Sequence, residues 1–132
     1  MIGIVVVSHS EKIAQGVVEL CSQMGRENIK IEAAGGTGDG RIGTDAMKIM
    51  EAIKRADNGD GVLVLVDMGS AVMSTEVALE LLDEDLRNKV LIADAPIVEG
   101  SIGAVVQASM GSSLEEVKSV AEQSKSMIKV KE

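Results

Sequence analysis

The chain of 132 residues has no phenylalanine, tyrosine or tryptophan, and only one proline, one cysteine and one histidine. Without aromatic rings it has no platform on which unpaired bases or a flavin would stack. Thirteen basic against 21 acidic residues give a formal charge of -8, the wrong sign for a surface that tracks phosphates. Both observations argue against nucleic acid as a partner. The lone Cys21 excludes an internal disulfide and agrees with a reducing compartment. A single His and a single Cys in separate regions make no metal site. The longest apolar stretches, around Ile4 to Val7 and Val62 to Val66, run to about six residues where a bilayer span needs about 18, so no membrane insertion is expected. Met1 leads directly into a strand-like segment with no basic leader or small-residue cleavage pattern, which points to the cytoplasm.

What is present is 45% hydrophobic residues in a length that suits one domain, taken as residues 1–132. Four runs rich in Val, Ile and Leu recur: Ile2 to Val7, Ile29 to Ala33, Gly61 to Val66 and Lys89 to Ala93. Continuous apolar strands of this kind are buried on both faces. Between them the spacing becomes helical. Ile13, Val17, Leu20, Cys21 and Met24 mark a first helix, with Gly25 as its C-terminal cap. Thr44 is placed to cap a second helix carrying Ala46, Ile49, Met50 and Ile53, ended by the turn residues Asn58 to Gly61. Ser70 opens a third, with Val72, Leu79 and Leu82. Two more come after it, one from about Glu99 to Ser109 and one that starts with the capping box Ser113 to Glu116 and carries Leu114, Val117, Ala121 and Ile128. Met24, Met47, Met50 and Met73 read as core fillers in place of aromatics, with Met68 a candidate for a partner-facing surface. Buried strands alternating with helices predict an α/β fold, a doubly wound, mostly parallel four-stranded sheet with helices on both faces.

Such sheets place their sites at the carboxyl ends of the strands. His9 lies just past the first run. Imidazole has an ordinary pKa of about 6.5, so a large neutral fraction is available as a nucleophile near neutral pH. An exposed histidine without a role fits the same position. Asp67 ends the third run, and first and third strands are commonly neighbours in doubly wound sheets. A carboxylate on one ring nitrogen would fix the tautomer and leave the other nitrogen to attack; a helix N-cap is the competing role for this aspartate. Ser10, Gly36, Thr37, Gly69 and Ser70 supply hydroxyls and backbone amides for a phosphate cradle, or form ordinary turns. Gly38 to Gly43 matches G-x-G-x-x-G in the wrong context, and Arg41 and Ile42 stand where a P-loop would carry Lys and Ser or Thr, so neither stretch predicts a nucleotide site. No G-x-S-x-G elbow is present for a serine hydrolase.

Five segments in order, Gly3-Ile-Val-Val-Val-Ser-His-Ser10, Gly35-Gly36, Ile42-Gly-Thr-Asp45, Val66-Asp-Met-Gly-Ser-Ala71 and Ala95-Pro-Ile-Val-Glu-Gly100, make the chain resemble the phosphotransferase subunit of the phosphoenolpyruvate-dependent dihydroxyacetone kinase. The resemblance implies the fold of mannose-type IIA domains and a homodimer. It implies that His9 is phosphorylated and that Asp67 orients it. The donor would be the histidine-containing phosphocarrier protein. The acceptor would be ADP, bound with Mg2+ on a partner kinase subunit, while this chain binds no cofactor of its own. Ser10 after the histidine, and Met68-Gly-Ser-Ala71 after the aspartate, favour this branch over the IIA component of a mannose-family sugar transporter. A receiver-like switch, with Asp67 as phosphoacceptor, or a non-catalytic binding module would share the sheet; the former lacks the acidic pair that should follow the first strand.

Overall fold

The computed structural model describes residues 1–131. The four apolar runs become β1 (Gly3–Ser8), β2 (Ile31–Gly35), β3 (Val62–Val66) and β4 (Val90–Ile92). They form one sheet in the order β2-β1-β3-β4, and every pairing among the described residues is parallel. Among the described residues six α-helices accompany them, four between the strands and two after β4: α1 (Glu11–Ser22), α2 (Ala46–Ala56), α3 (Gly69–Glu80), α4 (Glu84–Arg87), α5 (Ile97–Ser109) and α6 (Leu114–Gln123).

Strand alternation divides the core in two. Ile4, Val6, Leu63 and Leu65 pack against α1, α5 and α6, with Val17, Ala104 and Val117 among the facing residues. Val5, Val7, Val62 and Val64 point the other way into a second cluster with Ile49, Ile53, Ala71 and Leu86 from α2, α3 and α4. Burial on both sides explains why the strands read as unbroken apolar runs. The inner helix faces carry many alanines, Ala14, Ala52, Ala56, Ala78, Ala104, Ala108 and Ala121 among them, all at zero exposure. Small residues there bring the helices close enough for strand Val, Ile and Leu to fill the core.

That close approach displaces several expected core residues. Met47 and Met73 are exposed and Met50 is only partly buried, with alanines of the same helices at inward positions, while Met24 is exposed in the turn beyond the end of α1. Ile128 is 84% exposed, since α6 ends at Gln123. The expected capping box is present, Glu116 N donating to Ser113 Oγ and Ser113 N to Glu116 Oε1, each at 3.2 Å. Other helix ends differ from expectation. Asp45 rather than Thr44 caps α2, its Oδ1 accepting from Met47 N at 2.9 Å, and Thr44 turns to Ser74 instead, with Oγ–Oγ at 2.5 Å. Helix α3 begins at Gly69 behind an N-cap, Met68, whose side chain makes no capping bond. Helix α1 stops at Ser22, and Gly25 lacks the positive φ of a capping glycine. Its smallness serves packing, because a Cβ there would lie 2.7 Å from Val105 Cγ1 and 2.9 Å from Ile29 Cγ2.

Candidate active site between the first and third strands

The progression of strands across the sheet reverses between β1 and β3. From β1 the chain crosses to β2 through α1 on one face; from β3 it crosses to β4 through α3 on the other. The two outgoing loops diverge and leave a crevice at the strand ends. Register sets what meets there: Val7 pairs with Val66, and Asp67 N donates to Val7 O at 3.1 Å. The next residues, Ser8, His9 and Asp67, are thereby brought side by side.

His9 Nδ1 lies 3.0 Å from Asp67 Oδ1. The other carboxylate oxygen accepts from His9 N at 3.0 Å and Ser8 Oγ at 2.9 Å. Burial pushes the pKa of Asp67 up, but the His9 amide, the His9 ring and the Ser8 hydroxyl together outweigh it and hold the carboxyl below its ordinary value. Asp67 is therefore ionised near neutrality and can only accept, so the nitrogen facing it, Nδ1, carries the ring proton. Nε2 is left with a lone pair, and Ser70 Oγ stands 2.7 Å away as its hydrogen-bond donor. The ring and the carboxylate are 17% and 13% exposed, enough to be reached from outside yet sheltered from bulk water. Asp67 does not cap α3, whose N-cap position is Met68.

The five proposed cradle residues divide into two groups. Gly69 and Ser70 open α3, the Ser70 hydroxyl stands beside Nε2, and no side chain caps this helix, so its first amides, at the positive end of the helix dipole, have no capping partner. Ser10, Gly36 and Thr37 are engaged elsewhere. Ser10 N donates to Ser8 Oγ at 3.0 Å, and Ser10 Oγ caps α1 by accepting from Ile13 N at 3.2 Å. Gly36 N donates to Ser8 O at 3.2 Å, and Thr37 N to Arg41 O at 3.3 Å. The Thr37 hydroxyl donates to Asp39, whose carboxyl is held at about 2 by Arg41 first and Thr37 second. These bonds fold the loop after β2 onto itself. The loop is then fastened to the site from behind, Gly43 N donating to His9 O at 2.8 Å. On the far side of Asp67 an open cleft of about 450 Å3 is lined by Met68, Val72, Glu76, Ile92 and Asp94.

Ser8 and Gly43 are not legible from sequence as site residues. A serine ending a strand carries no signal of its own, and the only hint is its place beside a sole histidine; Gly43 acts through its backbone alone.

A histidine whose Nδ1 is held by a part-buried carboxylate, at the switch point of a parallel sheet, defines an open α/β domain whose geometry suits nucleophilic histidine chemistry. The model of the EIIA-man family, the PTS system fructose IIA component, matches residues 3–118, and the chain belongs to that family. It is 45% identical over 117 residues to the PEP-dependent dihydroxyacetone kinase 2, phosphoryl donor subunit DhaM, of Listeria innocua, covering 89% of this chain and 94% of that protein. It is 46% identical over 120 residues to the corresponding DhaM of Escherichia coli, covering 89% of this chain and 25% of that longer protein. The solved structure of the unknown-function protein EF1359 superposes with a TM-score of 0.82 at 39% identity, over 92% of each chain.

Proposed function

We propose that this chain is the phosphoryl-donor subunit of a phosphoenolpyruvate-dependent dihydroxyacetone kinase, working through a phosphohistidine at His9. The observation that carries this reading is the Asp67–His9–Ser70 line, which leaves an unprotonated Nε2 beside the open end of α3. The Nε2 lone pair attacks the phosphorus of a phosphohistidine on the phosphocarrier protein. The N–P bond of the donor breaks as the new one forms, and the donor ring recovers its electron pair. Asp67 stabilises the positive character that the His9 ring gains, while Ser70 and the α3 amides neutralise the phosphoryl oxygens. In the second transfer the His9 N–P bond breaks in turn, and the group passes to ADP held with Mg2+ on the kinase partner.

A relay needs protein surfaces that come and go. Met68 and Met73 are 54% and 69% exposed at the start of α3, the adaptable apolar surface expected where different partners dock in turn. No helix among the described residues is long and apolar enough to cross a membrane. A cytoplasmic homodimer completes the proposal. The same chemistry would serve a IIA component feeding a sugar permease, and the names of the relatives favour the kinase. A receiver-like role is disfavoured because both Asp67 oxygens already accept hydrogen bonds. The test is to incubate the protein with phosphoenolpyruvate and the general phosphotransfer proteins, then add the kinase subunits and dihydroxyacetone. Acid-labile label on the wild type, none on His9→Ala, and label passing to dihydroxyacetone are expected. Label on His9→Ala, or label that moves only to a sugar permease, would overturn the assignment.

A further inference from the structure

We infer that Ser8 is a positioning residue for phosphotransfer, its hydroxyl aiming the Asp67 carboxylate at the His9 ring; this rests on the reading of His9 as the nucleophile. Ser8 closes β1 and is fully buried, one of few polar side chains at zero exposure. Strand alternation puts it on the same face as Ile4 and Val6, where a third aliphatic residue would continue the core. Its oxygen instead lies 3.0 Å from Ser10 N and 2.9 Å from Asp67 Oδ2.

The direction of this chain of hydrogen bonds is fixed by chemistry. A backbone amide only donates, so Ser8 Oγ accepts from Ser10. An ionised carboxylate only accepts, so the one hydroxyl proton of Ser8 goes to Oδ2. Terminal rotation of an aspartate is soft, with a broad two-fold profile, so a carboxylate must be held from outside to keep one oxygen on target. The Ser8 hydroxyl and the His9 amide hold Oδ2, which leaves Oδ1 facing Nδ1. Ser8 touches neither the ring nitrogen that reacts nor the space in front of it. Its effect passes through Asp67, as the partners behind metal-bound histidines act through their ligands.

The test uses an isosteric pair, Ser8→Thr and Ser8→Val, which differ in the hydroxyl and share their shape. Ring 15N shifts of His9 in the free protein report which nitrogen carries the proton, and single-turnover labelling from the phosphocarrier reports the rate. Ser8→Thr should keep the Nδ1–H tautomer and a rate within about threefold of wild type. Ser8→Val should lose part of that tautomer and about tenfold or more in rate, the usual scale for removing such a support. Should Ser8→Val fail to fold, Ser8→Ala carries the same expectation. Equal tautomer ratios and rates in the Thr and Val variants would overturn the inference, as would a Thr variant as impaired as the hydroxyl-free one. Failure of the relay reading would look different, because wild type itself would then take no label on His9.

Discussion

Replacing Asp67 with Asn changes one oxygen into an amide nitrogen of nearly the same size, and the surrounding donors determine the outcome. Three of them converge on the carboxylate: Ser8 Oγ and His9 N on Oδ2, and His9 Nδ1 on Oδ1. An asparagine can face them in two ways. With its NH2 toward the Oδ2 position it confronts the His9 amide, which can only donate, and forfeits that hydrogen bond at roughly 1–3 kcal/mol, while the Ser8 hydroxyl can rotate to accept. With its NH2 toward the ring it keeps both bonds but donates to Nδ1, which moves the ring proton to Nε2. The second orientation is the cheaper by about 1–3 kcal/mol, and in it the attacking nitrogen has no lone pair. Since each 1.36 kcal/mol is tenfold in rate, phosphorylation of Asp67→Asn should fall by about one to two decades. This is the tautomer effect known for an aspartate-to-asparagine change in a Ser-His-Asp triad. Single-turnover labelling from the phosphocarrier measures the rate, and ring 15N shifts verify the tautomer. A variant labelled within about threefold of wild type, with its proton still on Nδ1, would refute the reasoning.

A methyl at Gly35 would lie 2.6 Å from Ser10 O and 2.8 Å from both Glu11 Cα and Ala14 Cβ. Backbone cannot yield there, so Gly35→Ala should cost roughly 1–3 kcal/mol, seen as a lower urea midpoint with unchanged slope; an unchanged midpoint would contradict the close packing of α1 on β2. Because the pKa of Asp67 is lower folded than unfolded, its ionised form stabilises the fold above the ordinary carboxylate pKa of about 3.9. That contribution is lost as pH falls through the lower folded value. Urea titrations should therefore show a stability gap between wild type and Asp67→Asn that is steady above about pH 5 and narrows below about pH 4; a gap that widens in acid would contradict the sign. Burial pushes the Cys21 thiol up to about 11, so at pH 8 a thiol reagent should label the native protein at least about a hundredfold more slowly than the urea-unfolded chain. Equal rates would mean that Cys21 is not sealed in the core.

Structure is legible in the sequence where a single element determines the outcome. Val5 to Val7 and Val62 to Val64 are apolar in succession because each strand is covered on both sides, and that pattern needs no tertiary knowledge. The neighbouring of β1 and β3, which brings His9 to Asp67, follows from the habits of doubly wound sheets. Structure is not legible where inside and outside look alike. Helix α3 is apolar around most of its circumference, so periodicity could not tell that Ala71, Thr75 and Ala78 face inward while Met73 and Val77 remain exposed. Thr37 illustrates a second limit: the residue type suits a phosphate cradle, yet Asp39 and Arg41, two and four residues on, draw its hydrogen bonds into its own loop. Ser8 marks a third. Its hydroxyl acquires meaning only through the register that sets it beside Asp67, and register is a property of two strands together.

The central claim is that Asp67 holds Nδ1, so that only Nε2 is free to bond phosphorus. A 1H–31P correlation spectrum of the freshly labelled protein, paired with ring 15N shifts, identifies the phosphorylated nitrogen directly. The account predicts a phosphoryl group on Nε2 of His9 with the proton retained on Nδ1; a bond to Nδ1, or phosphate found on Asp67 or Ser70, would contradict it.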